Sequence, residues 1–137
     1  MSITSGQCLC GAFRFTVTGP LENVRLCHCD VCRRANGTAF AANCPVPIER
    51  FTVVHDAGTL RSFESSPGAR RYFCGTCGSP VFARIESAPE VIRVRLGTLG
   101  RDAAAGIVGH VWVGSKARWD CIADDLPQFD EGAPAAK

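Results

Sequence analysis

Apolar and polar residues alternate along several short stretches of this 137-residue chain. Such alternation is typical of strands that bury one face. A hairpin is indicated where His55-Asp56-Ala57-Gly58 separates two of these stretches. Helix is scarce, and the best candidate is a short segment that begins after Cys29 and ends at Asn36-Gly37. We therefore predict a mainly β fold of short antiparallel strands with little helix, the strands covering residues 12–17, 50–54, 59–63, 70–73, 80–85, 91–96 and 109–113.

The length and composition fit a single domain over residues 1–129, followed by a disordered tail over 130–137. No apolar run reaches the roughly 20 residues that a membrane span requires. The N-terminus shows no signal peptide pattern, so we expect a cytoplasmic protein. The formal net charge is +2, and seven thiolates with two zinc ions would bring it to about −1. We therefore expect neither nucleic acid nor a membrane as partner.

Seven of the nine cysteines form three tight clusters. Nine is an odd number, and cysteines separated by one residue cannot pair without strain, so the pattern favours metal binding over disulfides. The two remaining cysteines, Cys44 and Cys121, are expected to be small buried hydrophobic residues. The clusters are Cys8-x-Cys10, Cys27-x-Cys29-x-x-Cys32 and Cys74-x-x-Cys77.

The first and last clusters together supply four sulfurs for one closed site. Four thiolates suit a structural zinc ion, although an iron–sulfur cluster is also compatible with them. A glycine directly follows each pair, Gly11 and Gly78, and the curl of a metal-binding knuckle favours positive φ at that position. We therefore predict a structural zinc on Cys8, Cys10, Cys74 and Cys77 that joins distant strands.

The middle cluster supplies three ligands, Cys27, Cys29 and Cys32, and no obvious fourth. A three-ligand zinc leaves one coordination position free for chemistry. His28 lies between two ligands and should point away from them. A distant side chain is the alternative fourth ligand, the candidates being Cys44, His55, His110 and Cys121.

Three thiolates make zinc a poor Lewis acid but a good partner for a soft substrate thiol. Binding lowers the pKa of that thiol and yields a sulfur nucleophile at neutral pH. Arg33 and Arg34 are candidates to hold a carboxylate of the thiol, or else they are surface charges. Trp112 and Trp119 are expected in the core rather than in the wall of a substrate pocket.

These motifs resemble the glutathione-dependent formaldehyde-activating enzyme family, which includes centromere protein V. The resemblance implies a β-tent fold of short sheets joined by the four-cysteine zinc site, and a catalytic-type zinc on Cys27, Cys29 and Cys32. It also implies a carbon–sulfur lyase that joins glutathione to formaldehyde and forms S-hydroxymethylglutathione. The matching segments are residues 6–11, 13–15, 27–34 with Gly37, 71–79, 97–99, 110–119 and 124–129.

Three functions are therefore compatible with the sequence. The first is a zinc-dependent enzyme of the S-(hydroxymethyl)glutathione synthase type, with two zinc ions per chain and glutathione as co-substrate. The second is a zinc-binding module without catalysis, such as a thiol sensor or a protein-interaction domain. The third is a related enzyme on another small electrophile. A pocket lined by arginines would favour an anionic thiol, whereas an apolar pocket would favour another substrate.

Overall fold

A computed structural model describes residues 2–134 of the chain. Within them lie ten strands, one α-helix and three short 3₁₀ turns. The helix α1 covers Asp30–Asn36, and the 3₁₀ turns cover Ile48–Arg50, Leu96–Thr98 and Val113–Ser115. The strands are β1 (Ile3–Gln7), β2 (Phe13–Thr18), β3 (Leu21–Cys27), β4 (Ala41–Pro47), β5 (Phe51–Asp56), β6 (Leu60–Ser66), β7 (Ala69–Cys74), β8 (Pro80–Ile85), β9 (Val91–Arg95) and β10 (Ala105–Val111).

The strands form two sheets. A small sheet has the order β1-β2-β5, and a seven-stranded sheet has the order β10-β3-β4-β9-β8-β7-β6. All neighbours are antiparallel except β10 and β3, which run parallel. The prediction of a mainly β chain with little helix is confirmed.

The core lies between one face of each sheet. In β2, alternate residues are buried, among them Phe13 and Phe15. Phe82 of the large sheet lies 6.1 Å from Phe13, measured between ring centroids. Phe51 of β5 lies 5.8 Å from the same Phe82 ring, so aromatic contacts link the sheets. The apolar face of the large sheet adds Val24, Leu26, Cys44, Val46, Ile92 and Val94.

The opposite face of the large sheet carries arginines, because successive side chains of a strand alternate between faces. Arg25 of β3 pairs with Asn43 of β4, and Asn43 pairs with Arg95 of β9. Residues that pair directly across strands lie on the same face, so this register forms a polar row.

A second row lies on the same face. Arg71 of β7 pairs with Ala83 of β8, and Ala83 pairs with Arg93 of β9. Arg93 and Arg95 are two residues apart on one strand, so the two rows share a face. Arginines from three separate strands therefore meet there.

The helix prediction is confirmed. Helix α1 ends at Gly37, which has φ 66° and donates its backbone N–H to the carbonyl of Arg33. The hairpin prediction is wrong, since β5 pairs with β2 whereas β6 pairs with β7. Phe51 packs in the small sheet, while Leu60 of β6 lies opposite Cys74 in the large one. The turn at residues 55–58 therefore passes the chain from one sheet to the other.

Of the burial predictions for Cys44, Cys121 and the two tryptophans, only that for Cys44 is confirmed. Cys44 is fully buried, as expected, but Cys121 is exposed. The tryptophan prediction is wrong, because Trp112 is 40% exposed and Trp119 is 74% exposed. Trp112 adopts a left-handed backbone conformation directly after β10, and this turn directs the chain out of the sheet.

The assignment of residues 1–129 to one domain stays a prediction. The tail predicted over 130–137 lies partly outside the described residues. Within them, the carbonyls of Asp130 and Glu131 accept backbone hydrogen bonds from Gly114 at 3.2 Å and Trp112 at 2.9 Å. None of the helices in residues 2–134 has the length and apolar character that crossing a membrane requires.

Candidate metal centres and an arginine-lined cavity

The closed cluster brings together Cys8, Cys10, Cys74 and Cys77, whose sulfurs all lie within 4.8 Å of one another. The Sγ atoms of Cys8 and Cys10 are 3.7 Å apart, and those of Cys10 and Cys74 are 3.8 Å apart. A tetrahedral zinc with Zn–S bonds of about 2.3 Å separates its sulfurs by about 3.8 Å. These residues therefore fit zinc.

Neighbouring polar groups favour the thiolate form of two of these cysteines, Cys74 and Cys77. Hydrogen bonds from the hydroxyl and backbone of Ser79 lower the pKa of Cys77 to about 5. The hydroxyl of Thr59 lies 3.2 Å from the sulfur of Cys74 and lowers the pKa of that thiol. Thiolates are the form that binds metal.

The two knuckle glycines have the predicted conformation. Gly11 has φ 78° and Gly78 has φ 77°. Each donates its backbone N–H back to the first cysteine of its pair, Gly11 to Cys8 at 3.2 Å and Gly78 to Cys74 at 2.7 Å. Because the first pair follows β1 and the second begins at Cys74, the last residue of β7, the cluster brings the small sheet and the large sheet together.

The middle cluster, which we call the trio, consists of Cys27, Cys29 and Cys32. Cys27 ends β3, Cys29 caps α1, and Cys32 lies in the first turn of that helix. The sulfurs of Cys27 and Cys29 are 3.5 Å apart, and the backbone N–H of Cys32 donates to the sulfur of Cys29 at 3.4 Å. Three converging sulfurs fit a zinc with one free coordination position.

No fourth His, Cys, Asp or Glu of residues 2–134 joins the trio. Cys44 lies in the core, where its thiol faces the carbonyl of Glu22 at 3.8 Å. His55 is exposed on β5, and Cys121 is exposed near the C-terminus. His110, the remaining distant candidate, bonds to His28 instead.

A cation lies against the trio. The Nη2 group of Arg71 donates to the sulfur of Cys32 at 3.4 Å. The hydrogen bond with Cys27, followed by that guanidinium, lowers the pKa of Cys32 to about 5, although burial acts in the opposite direction. The guanidinium would also offset the negative charge of a three-thiolate metal site.

Behind the trio, His28 belongs to a buried chain of hydrogen bonds. Its Nε2 lies 2.8 Å from Nδ1 of His110, and Nε2 of His110 lies 2.9 Å from a carboxylate oxygen of Asp124. When His110 donates to Asp124, its Nδ1 accepts from His28. Burial, followed by repulsion from His110, lowers the pKa of His28. This chain fixes the segment between Cys27 and Cys29.

A cavity of about 420 Å³ opens beside the trio. Two trio cysteines, Cys27 and Cys32, form part of its wall, and Trp112 forms another part. The described residues that line it include four arginines and no Asp or Glu. The arginines are Arg25, Arg71, Arg93 and Arg95.

Arg33 and Arg34 do not line this cavity. Arg33 pairs with Asp30 on the same helix, and Arg34 is exposed. Their role as glutathione contacts stays a prediction. Arg25, Arg93 and Arg95 were not identified as site residues, because only the strand register brings them together with Arg71. The alternation of Arg93 and Arg95 in β9 was the one signal that placed two of them on a common face.

Comparison with known proteins shows which family the chain belongs to. A family model described as "Glutathione-dependent formaldehyde-activating enzyme" matches residues 3–115. An Aspergillus flavus relative is 32% identical over 81 residues, which are 58% of this chain and 42% of the relative. A Halomonas elongata relative is 32% identical over 98 residues, which are 66% of this chain and 61% of the relative. Both are provisionally named glutathione-dependent formaldehyde-activating enzymes.

The chain therefore spans less than two thirds of the length of these curated relatives. Among solved structures, a Rhodobacter sphaeroides protein superposes with a TM-score of 0.59 at 26% sequence identity. The match covers 75% of this chain and 98% of that protein.

Proposed function

Because this chain belongs to the glutathione-dependent formaldehyde-activating enzyme family, we propose that it joins a small thiol, glutathione, to an aldehyde, formaldehyde. The product is the S-hydroxymethyl adduct of the thiol. In this proposal the protein is a zinc-dependent enzyme of the carbon–sulfur lyase type that acts in the cytoplasm. The metal ions are two zincs, one on the closed cluster and one on the trio.

The observation that carries the proposal is the trio at the wall of a cavity. Cys27, Cys29 and Cys32 converge without a fourth side chain from the described residues, and two of them line a space of about 420 Å³. A zinc ion held there would bind a substrate thiol in its free position and lower the pKa of that thiol. The donor set is soft, which matches a sulfur ligand better than water.

The side chains around the trio orient and stabilise the reacting sulfur. Arg71 donates to Cys32 and keeps positive charge beside the thiolates. The chain from Asp124 through His110 to His28 holds the Cys27–Cys29 segment in place, so His28 and His110 are positioning residues. Arg33 and Arg34 are further candidate contacts of the glutathione carboxylates.

The reaction is an addition without any redox change. A bond forms between the thiol sulfur and the aldehyde carbon, and the carbonyl π bond breaks. The proton lost by the thiol ends on the former carbonyl oxygen. Since this addition is facile in water, positioning of the two reactants is the main contribution that the protein makes.

The test is the rate of exchange between formaldehyde and S-hydroxymethylglutathione, measured by ¹³C NMR with labelled formaldehyde. We expect the zinc-loaded protein to accelerate exchange above the rate in buffer. Cys29→Ser should return the rate to that of buffer, whereas Cys121→Ser, at an exposed cysteine outside both clusters, should behave like the native protein.

A native protein that leaves the exchange rate unchanged would contradict the proposal and favour a zinc-binding module without catalysis. Acceleration that survives Cys29→Ser would remove the trio from the mechanism.

A further inference from the structure

The cavity beside the trio has more positive charge than its surroundings neutralise. Among residues 2–134, none of the ion pairs involves Arg25, Arg71, Arg93 or Arg95. A zinc held by three thiolates would carry a formal charge of −1, so it would offset the charge of only one guanidinium. Buried or half-buried cations without partners are costly, and an anionic ligand would remove that cost.

Arg95 gives the clearest sign of a missing partner. It is only 7% exposed, and its Nε is buried without a hydrogen-bond partner. Its Nη1 donates to the amide oxygen of Asn43, a neutral group. Burial, followed by repulsion from Arg71, lowers the pKa of Arg95 to about 10, so this side chain is still charged at neutral pH.

Arg71 has spare donor capacity as well. One of its terminal nitrogens, Nη2, contacts the sulfur of Cys32, whereas the other, Nη1, is buried without a partner. Arg25 donates only to backbone carbonyls, those of Asn23 at 3.3 Å and Pro134 at 3.5 Å. Arg93 is exposed and forms no ion pair within the described residues.

The spacing of the four arginines suits two anionic groups rather than one. Strands are about 4.8 Å apart, so Arg25 and Arg95, two strands apart, are separated by about 10 Å at the backbone. The same holds for Arg71 and Arg93, and the two rows are about 7 Å apart along β9. One carboxylate pairs with one or two guanidinium groups, so four arginines spread over three strands have donors left for a second anionic group.

We infer that Arg25, Arg71, Arg93 and Arg95 form an anion-binding face that selects a thiol with two carboxylates. The trio would receive the sulfur, and the guanidinium groups would hold the carboxylates in charge-assisted hydrogen bonds. This inference deepens the proposed function and rests on it for the identity of the thiol. The main determinants of substrate specificity would then lie on the sheet beside the trio, whereas Arg33 and Arg34 of helix α1 lie outside this cavity.

We expect the protein to bind ligands with free carboxylates more tightly than ligands whose carboxylates are esterified. Glutathione carries two carboxylates, whereas its diethyl ester carries none. S-methylglutathione keeps both carboxylates but has no free thiol, so it tests the anion-binding face without the trio. Loss of one charge-assisted contact weakens binding by about 10- to 100-fold.

The experiment is calorimetric titration of the zinc-loaded protein with S-methylglutathione and with its diethyl ester. The variants are Arg93→Gln, an exposed position that should fold normally, and Arg95→Gln. The matched control is Arg70→Gln, since Arg70 neighbours Arg71 on β7 but is exposed outside the cavity and contacts Ser62. Zinc content and circular dichroism verify that each variant is folded.

We expect S-methylglutathione to bind at least about tenfold more tightly than its diester. Arg93→Gln and Arg95→Gln should remove most of that difference, and Arg70→Gln should retain it. Equal affinity for acid and ester, or equal effects of Arg93→Gln and Arg70→Gln, would overturn the inference.

The result is independent of turnover. If arginine-dependent binding is found but the exchange of formaldehyde is not accelerated, the anion-binding face stands and the proposed reaction fails. If exchange is accelerated but acid and ester bind equally, the reaction stands and the anion-binding face fails.

Discussion

At the scale of single residues, the charge beside the trio would determine how firmly the trio holds a zinc ion. Arg71 contributes to both the trio and the cavity. One of its nitrogens contacts the sulfur of Cys32, and its side chain also lines the cavity. Groups that hydrogen-bond to metal ligands tune metal affinity even though they do not touch the ion.

Replacement of Arg71 by glutamine should therefore weaken zinc binding at the trio. The loss of the cation raises the pKa of Cys32, so protons compete better with zinc at neutral pH. We expect a decrease in affinity of about tenfold, measured by competition with a chromophoric chelator. Arg70→Gln is the control, and equal affinities of the two variants would show that the contact has no role.

The glycines that follow the cysteine pairs of the closed cluster adopt positive φ, and substitution there tests how much this backbone conformation matters for stability. Gly78 has φ 77° and open space around its Cα, so alanine there adds backbone strain without a clash. We expect Gly78→Ala to cost about 1–2 kcal/mol of unfolding free energy, measured by urea denaturation. Gly97→Ala is the control, since Gly97 also has open space but no positive φ. A smaller effect of Gly78→Ala than of Gly97→Ala would contradict this account.

Features that depend on neighbouring residues were predictable. The spacing of the cysteines within each cluster predicts sulfurs that lie close together, and they do. A glycine after a cysteine pair predicts the turn that follows, and Gly11 and Gly78 both have positive φ. The cavity arginines are not local, because Arg25, Arg71 and Arg95 come from strands far apart in sequence. Their convergence depends on register, which no spacing in the sequence encodes.

At the scale of elements, the segment between Cys27 and Cys29 is supported by the chain from His28 to Asp124. The chain links the end of β3 to β10 and to the loop that follows. Asp124 is half-exposed, but the Nε2 donor that it accepts belongs to the buried His110. A buried donor left without an acceptor costs free energy.

Removal of the carboxylate should therefore destabilise the protein. We expect Asp124→Ala to lower the unfolding free energy by about 1–3 kcal/mol, measured by urea denaturation. Asp125→Ala is the matched control, because Asp125 is adjacent, exposed and outside the chain of hydrogen bonds. Equal stability of the two variants would mean that the contact to His110 contributes nothing.

Helix α1 and most strands were predictable from periodicity, but their pairing was not. The segment 55–58 has the composition of a tight turn, yet the strands on either side of it belong to different sheets. Pairing is decided by packing, here by Phe51 on Phe15, rather than by the turn residues. Strands β1, β3 and β4 were missed, and in β4 the pattern is interrupted by Pro45 and Pro47.

At the scale of the whole molecule, a metal ion on the closed cluster would cross-link the two sheets. The cluster joins the turn after β1 to the turn after β7, segments more than sixty residues apart in the chain. Metal that holds distant segments together contributes directly to the stability of the fold. The trio differs, because its three ligands lie within six consecutive residues, 27–32.

The two clusters should therefore respond differently to the same substitution. We expect Cys74→Ser to lower the unfolding free energy by more than about 4 kcal/mol or to prevent folding. Cys29→Ser should leave the thermal midpoint nearly unchanged, as should the control Cys121→Ser. Thermal unfolding by circular dichroism is the measurement, and a loss of fold in Cys29→Ser would show that the trio is structural too.

The most direct test of a separate, open metal site is the zinc content per chain of the native protein and of Cys29→Ser. We expect about two zincs in the native protein and about one in a Cys29→Ser variant that is still folded. Two zincs retained by Cys29→Ser, or a single zinc in the native protein, would contradict the assignment of the trio as an open metal site.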